Sequence, residues 1–197
     1  KPDNPEIVAA HEAGERIVHR SDILALLMNA KRAVTVAGAH GKTTTSSMLA
    51  HILVNAGEGE LADPSYAIGG SIQGKDGAIL DGKGNVLVAE ADESDGSFAK
   101  YHPQIAIITN SEADHLDHYG TQDNYRAAFV DHAGHATKAV IMCGDDEGNL
   151  AVLRALDATV AGRTIVYSTW NAAELGDLNG ATLVRIESES ETAESGA

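Results

Sequence analysis

Val34-Thr35-Val36-Ala37-Gly38-Ala39-His40-Gly41-Lys42-Thr43-Thr44-Thr45 is an apolar run that breaks into glycines and then into Lys-Thr-Thr, where helical apolar spacing begins. It reads as a strand, a phosphate loop and a helix. Glycines let backbone N–H groups close round phosphate oxygens, and the helix N-terminus adds partial positive charge. Lys42 is suited to reach the β- and γ-phosphates as a point charge, and the Thr43 hydroxyl to hold Mg²⁺. The expected nucleotide-binding set is Gly38, Ala39, His40, Gly41, Lys42, Thr43 and Thr44. The usual Gly-x-x-x-x-Gly-Lys-[Ser/Thr] spacing is not met: Val36 stands where its first glycine belongs, and Gly38 is the first glycine present. That implies a shortened loop. A turn and an N-capped helix would give the same letters, so this stretch alone leaves both readings open.

A chain of 197 residues can bury one core, or one domain and a fragment of another. Its 43% hydrophobic content suits a globular protein, and only 4% aromatic residues point to a core of Ala, Val, Ile and Leu. The formal charge of −15 repels nucleic acid and anionic membranes, so neither is an expected partner and a phosphate ligand needs a local positive site. Cys143 ends the apolar run Ala139-Val140-Ile141-Met142 and is expected as a buried thiol; a lone cysteine forms no internal disulfide, which fits a reducing compartment. No apolar stretch is long enough to span a bilayer and no signal-peptide pattern opens the chain, so the expected location is the cytoplasm. Residue 1 is not Met, which leaves room for a preceding segment.

Asn4-Pro5 starts a short helix that ends at Gly14, Ile17-Val18 reads as a short strand, and Ser21-Asp22 caps a second helix through Leu24, Leu27 and Met28. These residues look like the last β-α unit of a preceding domain, with the boundary at Lys31-Arg32. The helix from Lys42 stops at Gly57, and a glycine-rich stretch from Ile68 to Gly77 suits loops or hairpin edges. Val86–Ala89, Ile105–Ile108, Ala139–Met142 and Thr164–Tyr167 read as buried parallel strands, with helices over 122–133 and 149–156 between the last three. Ala181–Ile186 offers one more strand. This alternation predicts an α/β fold: a mostly parallel sheet with helices on both faces and sites beyond the strand carboxyl ends. The acidic segment that closes the chain, 188–197, reads as a disordered tail.

Two charged clusters fall at those ends. Glu90-Ala91-Asp92-Glu93-Ser94-Asp95 puts four carboxylates in six residues, a density that repels itself unless a cation is near. Glu90, first off its strand, is the candidate to share Mg²⁺ with Thr43; a solvated acidic helix start is the competing reading. Thr109-Asn110-Ser111-Glu112-Ala113-Asp114-His115-Leu116-Asp117-His118 sets imidazoles beside carboxylates, which suits a second metal shell or phosphate orientation better than a zinc site.

Together, Ala37 to Thr45, Glu90 to Phe98 and Thr109 to Tyr119 resemble, in order, the three central-domain motifs of the Mur ligases, over roughly residues 4 to 186. The resemblance implies a P-loop-like central ATP-binding domain over 32–187, preceded over 1–31 by the end of a domain that binds a UDP-linked substrate. Within the family, His40 before Gly-Lys and the Glu-Ala-Asp-Glu-Ser-Asp run are similar to the branch whose acceptor is UDP-N-acetylmuramate and whose amino acid is L-alanine. It implies that ATP phosphorylates the acceptor's carboxylate and the amine then attacks the acyl phosphate, a step of peptidoglycan synthesis. Lys42, Glu90 and His115 are then the catalytic candidates, with Thr43, Glu90 and His115 as metal ligands. His40, Asp92, Glu93, Ser94 and Asn110 are the implied substrate contacts. Ala39 departs from the Thr or Ser usual there. The family's His-Asn-x-x-Asn segment and carboxy-terminal ligase domain are not in this sequence, so the fragment alone is expected to be inactive. A Mur-type ligase with another acceptor, such as a tripeptide recycling ligase or a folylpolyglutamate synthetase, and a non-catalytic P-loop module are the competing readings.

Overall fold

A computed structural model of the chain describes residues 3–72 and 77–188. Eight strands form one sheet: β1 (Arg32–Ala37), β2 (Ser65–Ala67), β3 (Ile79–Leu80), β4 (Val86–Glu90), β5 (Ile105–Ile108), β6 (Ala139–Cys143), β7 (Thr164–Ser168) and β8 (Thr182–Arg185). Their order is β3-β2-β4-β1-β5-β6-β7-β8, and only the β2–β3 pairing is antiparallel. The helices are α1 (Pro5–Glu12), α2 (Arg20–Ala30), α3 (Lys42–Ala56), α4 (Leu116–Tyr119), α5 (Gln122–His135), α6 (Glu147–Ala155), α7 (Ala158–Ala161) and α8 (Ala172–Leu175).

Alternation along the central strands divides two cores. Val86 and Val88 of β4 join Ala50 and Leu53 of α3 with Tyr66 and Ile68. Leu87 and Ala89 face the other way, into the larger core with Met28 of α2, Phe129 of α5 and Leu153 of α6. Helices therefore cover both faces, as the strand-helix alternation predicts. The face covered by α3 is thinner over β5–β7: Ile105, Ile107 and Ile141 are half-buried there. Cys143 lies on that same face at the end of its strand, so its thiol is half-buried where burial was expected.

The scarce aromatic residues are concentrated. Phe98, in a 3-10 turn over Ser97–Lys100, meets Phe129 edge-on at 5.2 Å, Phe129 meets Tyr125 at 5.1 Å, and Tyr125 meets Tyr119 of α4 at 5.1 Å. Such edge-to-face pairs add about 0.5–1.5 kcal/mol each beyond burial. They tie the segment after Glu90 to the segment after Ile108 through α5.

Two expectations need correction. Ile17-Val18 forms no strand: both are more than one-third exposed, and no neighbouring strand takes their backbone groups. Instead His19 caps α2, in a reciprocal capping box with Asp22. Helix α1 ends at Glu12, with Gly14 just past its cap at φ 70°, the terminal glycine that the sequence predicts. Strands β2 and β3, of three and two residues, flank the glycine-rich stretch and are too short to show periodicity. Residues 73–76 of that stretch and 189–197 of the expected tail lie outside the described residues.

His132 of α5 is fully buried and bridges the 3-10 turn after β4 to β1. Its Nδ1 lies 3.1 Å from the Phe98 carbonyl, which only accepts, so that nitrogen carries the proton; Nε2, 3.1 Å from the Thr35 hydroxyl, is the acceptor. Burial pulls its pKa down to about 4. Between pH 6.5 and 4 the unfolded chain binds a proton that the folded chain does not, so this contribution is present above pH 6.5 and lost as pH falls through 4. Urea unfolding at pH 7 and pH 4 is expected to show a loss of about 3 kcal/mol from this group. His132→Gln keeps both hydrogen bonds without titrating and should flatten that part of the profile; an unchanged profile would exclude His132 as its source.

Candidate functional site

The loop between β1 and α3 sits at the carboxyl end of the sheet's central strand. Gly41 is the N-cap of α3, and no side chain caps the helix. The first-turn amides of a fifteen-residue helix are thus left to an outside acceptor. Gly38 has φ 139°, and a Cβ there would stand 2.1 Å from Thr109 Oγ1 and 2.9 Å from the Asn110 carbonyl oxygen. Only glycine lets the loop lie this close to the end of β5.

Asn110 holds the loop by a two-point contact. Its Oδ1 accepts the His40 N–H at 3.0 Å and its Nδ2 donates to the His40 carbonyl at 2.9 Å, while Thr109 Oγ1 donates to the same carbonyl at 2.6 Å. The His40 amide is therefore spent within the fold, and the Asn110 side chain is on the loop backbone. The His40 ring is exposed, and so is Thr44; Ala39 is half-buried, its carbonyl oxygen 3.5 Å from Lys42 Nζ.

Two polar groups flank the loop. In the first, Thr43 Oγ1 donates to Glu90 Oε1 at 2.7 Å, and the Gly69 N–H donates to Oε2. A Cβ at Gly69 would come within 2.5 Å of Glu90 Oε2 and 3.0 Å of Thr43 Oγ1, so the glycine-rich stretch closes directly over this pair. In the second, Lys42 Nζ donates to the Gly38 carbonyl at 2.7 Å and to Glu93 Oε1 at 2.9 Å. It is equally close to Glu93 Oε2, but without hydrogen-bond geometry, and that oxygen has no donor among the described residues. Glu93 is fully buried; His115 Nε2 stands 3.7 Å from it, and its carbonyl accepts the Tyr119 hydroxyl. The Lys42 side chain is only 18% exposed. His115 has a left-handed backbone, φ 50°, uncommon for a residue with a side chain.

The expected metal ligands thus divide. Thr43 and Glu90 are adjacent, whereas His115 stands with Glu93. Among the described residues no group of three or more His, Cys, Asp or Glu is gathered for a metal. A hydroxyl and a carboxylate oxygen side by side are still a hard-oxygen pair of the kind Mg²⁺ accepts when phosphate and water supply the rest.

Asp92 and Ser94 lie at the rim. Burial raises the Asp92 pKa, but hydrogen bonds from Ser94 and the charge of Lys42 outweigh it, leaving the carboxyl below its usual range. Arg20 at the start of α2 lies 3.3 Å from Asp92, and Lys100 lies 2.7 Å from Asp22. Arg20, Lys42, Gly69, Glu90 and Asp92 line one cavity of about 440 Å³. Tyr119 is raised to about 12 by burial and then by the nearby Glu93 charge, so its hydroxyl stays a donor. Sequence reasoning missed Arg20 and Gly69; the Gly69-Gly70 pair was the only signal available for the second.

Asn110→Ala removes both contacts with His40. Hydrogen exchange at the His40 amide is expected to quicken at least tenfold, with global stability lowered by about 1–3 kcal/mol. Unchanged exchange at that amide would mean the loop is held by other contacts.

The Mur ligase middle domain family matches residues 36–194. A UDP-N-acetylmuramate--L-alanine ligase of Bifidobacterium adolescentis is 98% identical over 201 aligned residues, covering 100% of this chain and 39% of that protein. Its namesake from Bifidobacterium longum is 72% identical, over 100% of this chain and 38% of its own. The chain thus spans about two fifths of the length of these curated relatives. Among solved structures, the UDP-N-acetylmuramate:L-alanyl-gamma-D-glutamyl-meso-diaminopimelate ligase of Neisseria meningitides superposes with a TM-score of 0.68 at 22% identity, over 84% of this chain and 55% of that one. A MurF ligase of Thermotoga maritima, in complex with ADP, gives 0.55 at 22% identity, over 79% and 38%. At such identities the superpositions establish the fold. With the family match over most of its length, the chain belongs to the Mur ligases and carries their middle domain.

Proposed function

We propose that this chain is the ATP-binding part of an ADP-forming ligase that joins L-alanine to UDP-N-acetylmuramate in peptidoglycan synthesis, in the cytoplasm. The names of the most similar relatives support the substrates. The observation that carries the chemistry is the adjacency of an uncapped helix N-terminus, a lysine and a hydroxyl–carboxylate pair around one loop. Residues 1–31 then close the preceding substrate-binding domain, and 32–187 make the central one.

In this reading the α3 amides and Lys42 hold the β- and γ-phosphates, and Lys42 offsets charge that builds on them during transfer. Thr43 and Glu90 would hold Mg²⁺, which neutralises phosphate charge when bound. Phosphoryl transfer to the acceptor carboxylate releases ADP; the alanine amine displaces phosphate and leaves an amide. His115 stands beside Glu93, where it can orient the transferred group or join a second cation. Arg20 and Asp92 line the cavity from which an acceptor reaches Lys42, while Glu93 is buried against Lys42 and Ser94 stands beside Asp92. His40 projects from the loop towards solvent, free for the sugar nucleotide.

A ligase with another acceptor would use the same loop, and amino-acid-dependent phosphate release by the full-length protein separates the two. Release is expected with L-alanine and UDP-N-acetylmuramate, and not when a tripeptide or glutamate replaces alanine. Release with the tripeptide alone would overturn the proposal. In the same assay Glu90→Gln should raise the Mg²⁺ concentration needed for half-maximal rate, because an amide oxygen carries less charge for a hard cation. An unchanged requirement would leave Glu90 as a structural partner of Thr43 and Gly69.

A further inference from the structure

The cavity beside the loop has an apolar wall that includes Leu24 and Ile79; among the described residues its charged lining is two cations, Arg20 and Lys42, and two carboxylates, Glu90 and Asp92. Lys42 is committed to the Gly38 carbonyl and Glu93, and Glu90 to Thr43 and Gly69. Asp92 accepts the Ser94 amide on Oδ1 and meets Arg20 with Oδ2. Arg20 differs from these. Its side chain is 66% exposed, and of its N–H donors only those on Nη2 reach an acceptor among the described residues, at 3.3 Å. So exposed and one-sided an ion pair holds weakly, and a second carboxylate can take the place of Asp92.

A ligase that phosphorylates a carboxylate must bring that anion against a triphosphate. Here it does so in a protein of formal charge −15 and in a cavity that already holds two carboxylates. The uncapped amides of α3 and the Lys42 ammonium serve the phosphates, which leaves the incoming carboxylate in need of a cation of its own. Arg20 is placed to be that cation. Asp92 feels the charge of Lys42 as well as the hydrogen bond from Arg20, so a carboxylate seated on the guanidinium lies in the field of the lysine beside the phosphates. The planar guanidinium takes a carboxylate on two parallel N–H donors, which fixes the direction of its oxygens as well as binding them. The apolar wall suits the carbon atoms that carry such a group.

We infer that Arg20 binds and orients the carboxylate of UDP-N-acetylmuramate, exchanging Asp92 for it, and so selects a sugar nucleotide that carries a carboxylate. The inference rests on the ligase reading above. Arg20 stays protonated throughout; its part is to hold one carboxylate oxygen towards the phosphorus it attacks. Calorimetry on the full-length protein with UDP-N-acetylmuramate, and with UDP-N-acetylglucosamine, which lacks the carboxylate-bearing substituent, tests it. The wild-type protein is expected to bind the first about tenfold more tightly. Arg20→Gln should close that gap to about twofold or less and leave UDP-N-acetylglucosamine and Mg-ATP binding unchanged, while Arg20→Lys, which keeps the charge and loses the fork, should leave a gap of about fourfold. In the phosphate-release assay Arg20→Gln should raise the KM for the acceptor about fivefold without moving the KM for ATP, a split that a merely structural role would not produce. No gap in the wild-type protein, or the same gap in Arg20→Gln, would overturn the inference. So would an equal weakening of both sugar nucleotides, which would put the guanidinium on the diphosphate they share. A wild-type protein that binds neither sugar nucleotide would instead overturn the ligase reading, and this inference with it.

Discussion

The carboxylate of Glu93 is the point on which the polar architecture depends. It is fully buried, faces the Lys42 ammonium at 2.9 Å and stands 3.7 Å from the His115 imidazole. Taking a carboxylate out of water is costly unless a cation and hydrogen bonds replace the solvent. That requirement fixes the direction of Lys42, and with it the start of α3. Through the Glu93 carbonyl and Tyr119 it also fixes the end of α4. One buried charge thus draws together three segments that lie far apart in sequence.

The aromatic ladder makes this arrangement rigid. Phe98 follows the acidic segment, Tyr119 follows the histidine segment, and α5 presents Phe129 and Tyr125 between them. His132 adds a neutral polar bridge from the same helix to β1, the strand that delivers the loop. The loop is then pinned from the β5 side by Thr109 and Asn110, while Thr43 and Glu90 meet on the β4 side. What remains open is the row of helix amides that no side chain caps, and this is where an anion fits.

The long apolar runs of β1 and β4 to β7 were legible because each is buried on at least one face by neighbouring strands and helices, and α3 because it combines a glycine start with i, i+3, i+4 spacing. Strands β2 and β3 were not: Tyr66 and Leu80 pair only because β4 provides an edge next to them. Four neighbouring carboxylates look alike in sequence, and only the fold decides that Glu93 is buried while Asp92 and Asp95 reach solvent. The clamp of Asn110 on His40 joins residues 70 apart and leaves no local signature. Leu27 shows the opposite failure: it reads as part of one apolar stripe with Leu24 and Met28, yet it is 55% exposed.

The most direct measurement is a double-mutant cycle on the unfolding free energy with Lys42→Met and Glu93→Gln. Removing Lys42 alone strands a buried charge and is expected to cost about 3–5 kcal/mol. Once Glu93 is already neutral, the same change should cost about 2 kcal/mol less, which is the coupling that binds the loop to the acidic segment. Additivity within about 0.5 kcal/mol would contradict this, and would mean that Lys42 and Glu93 are neighbours without being partners.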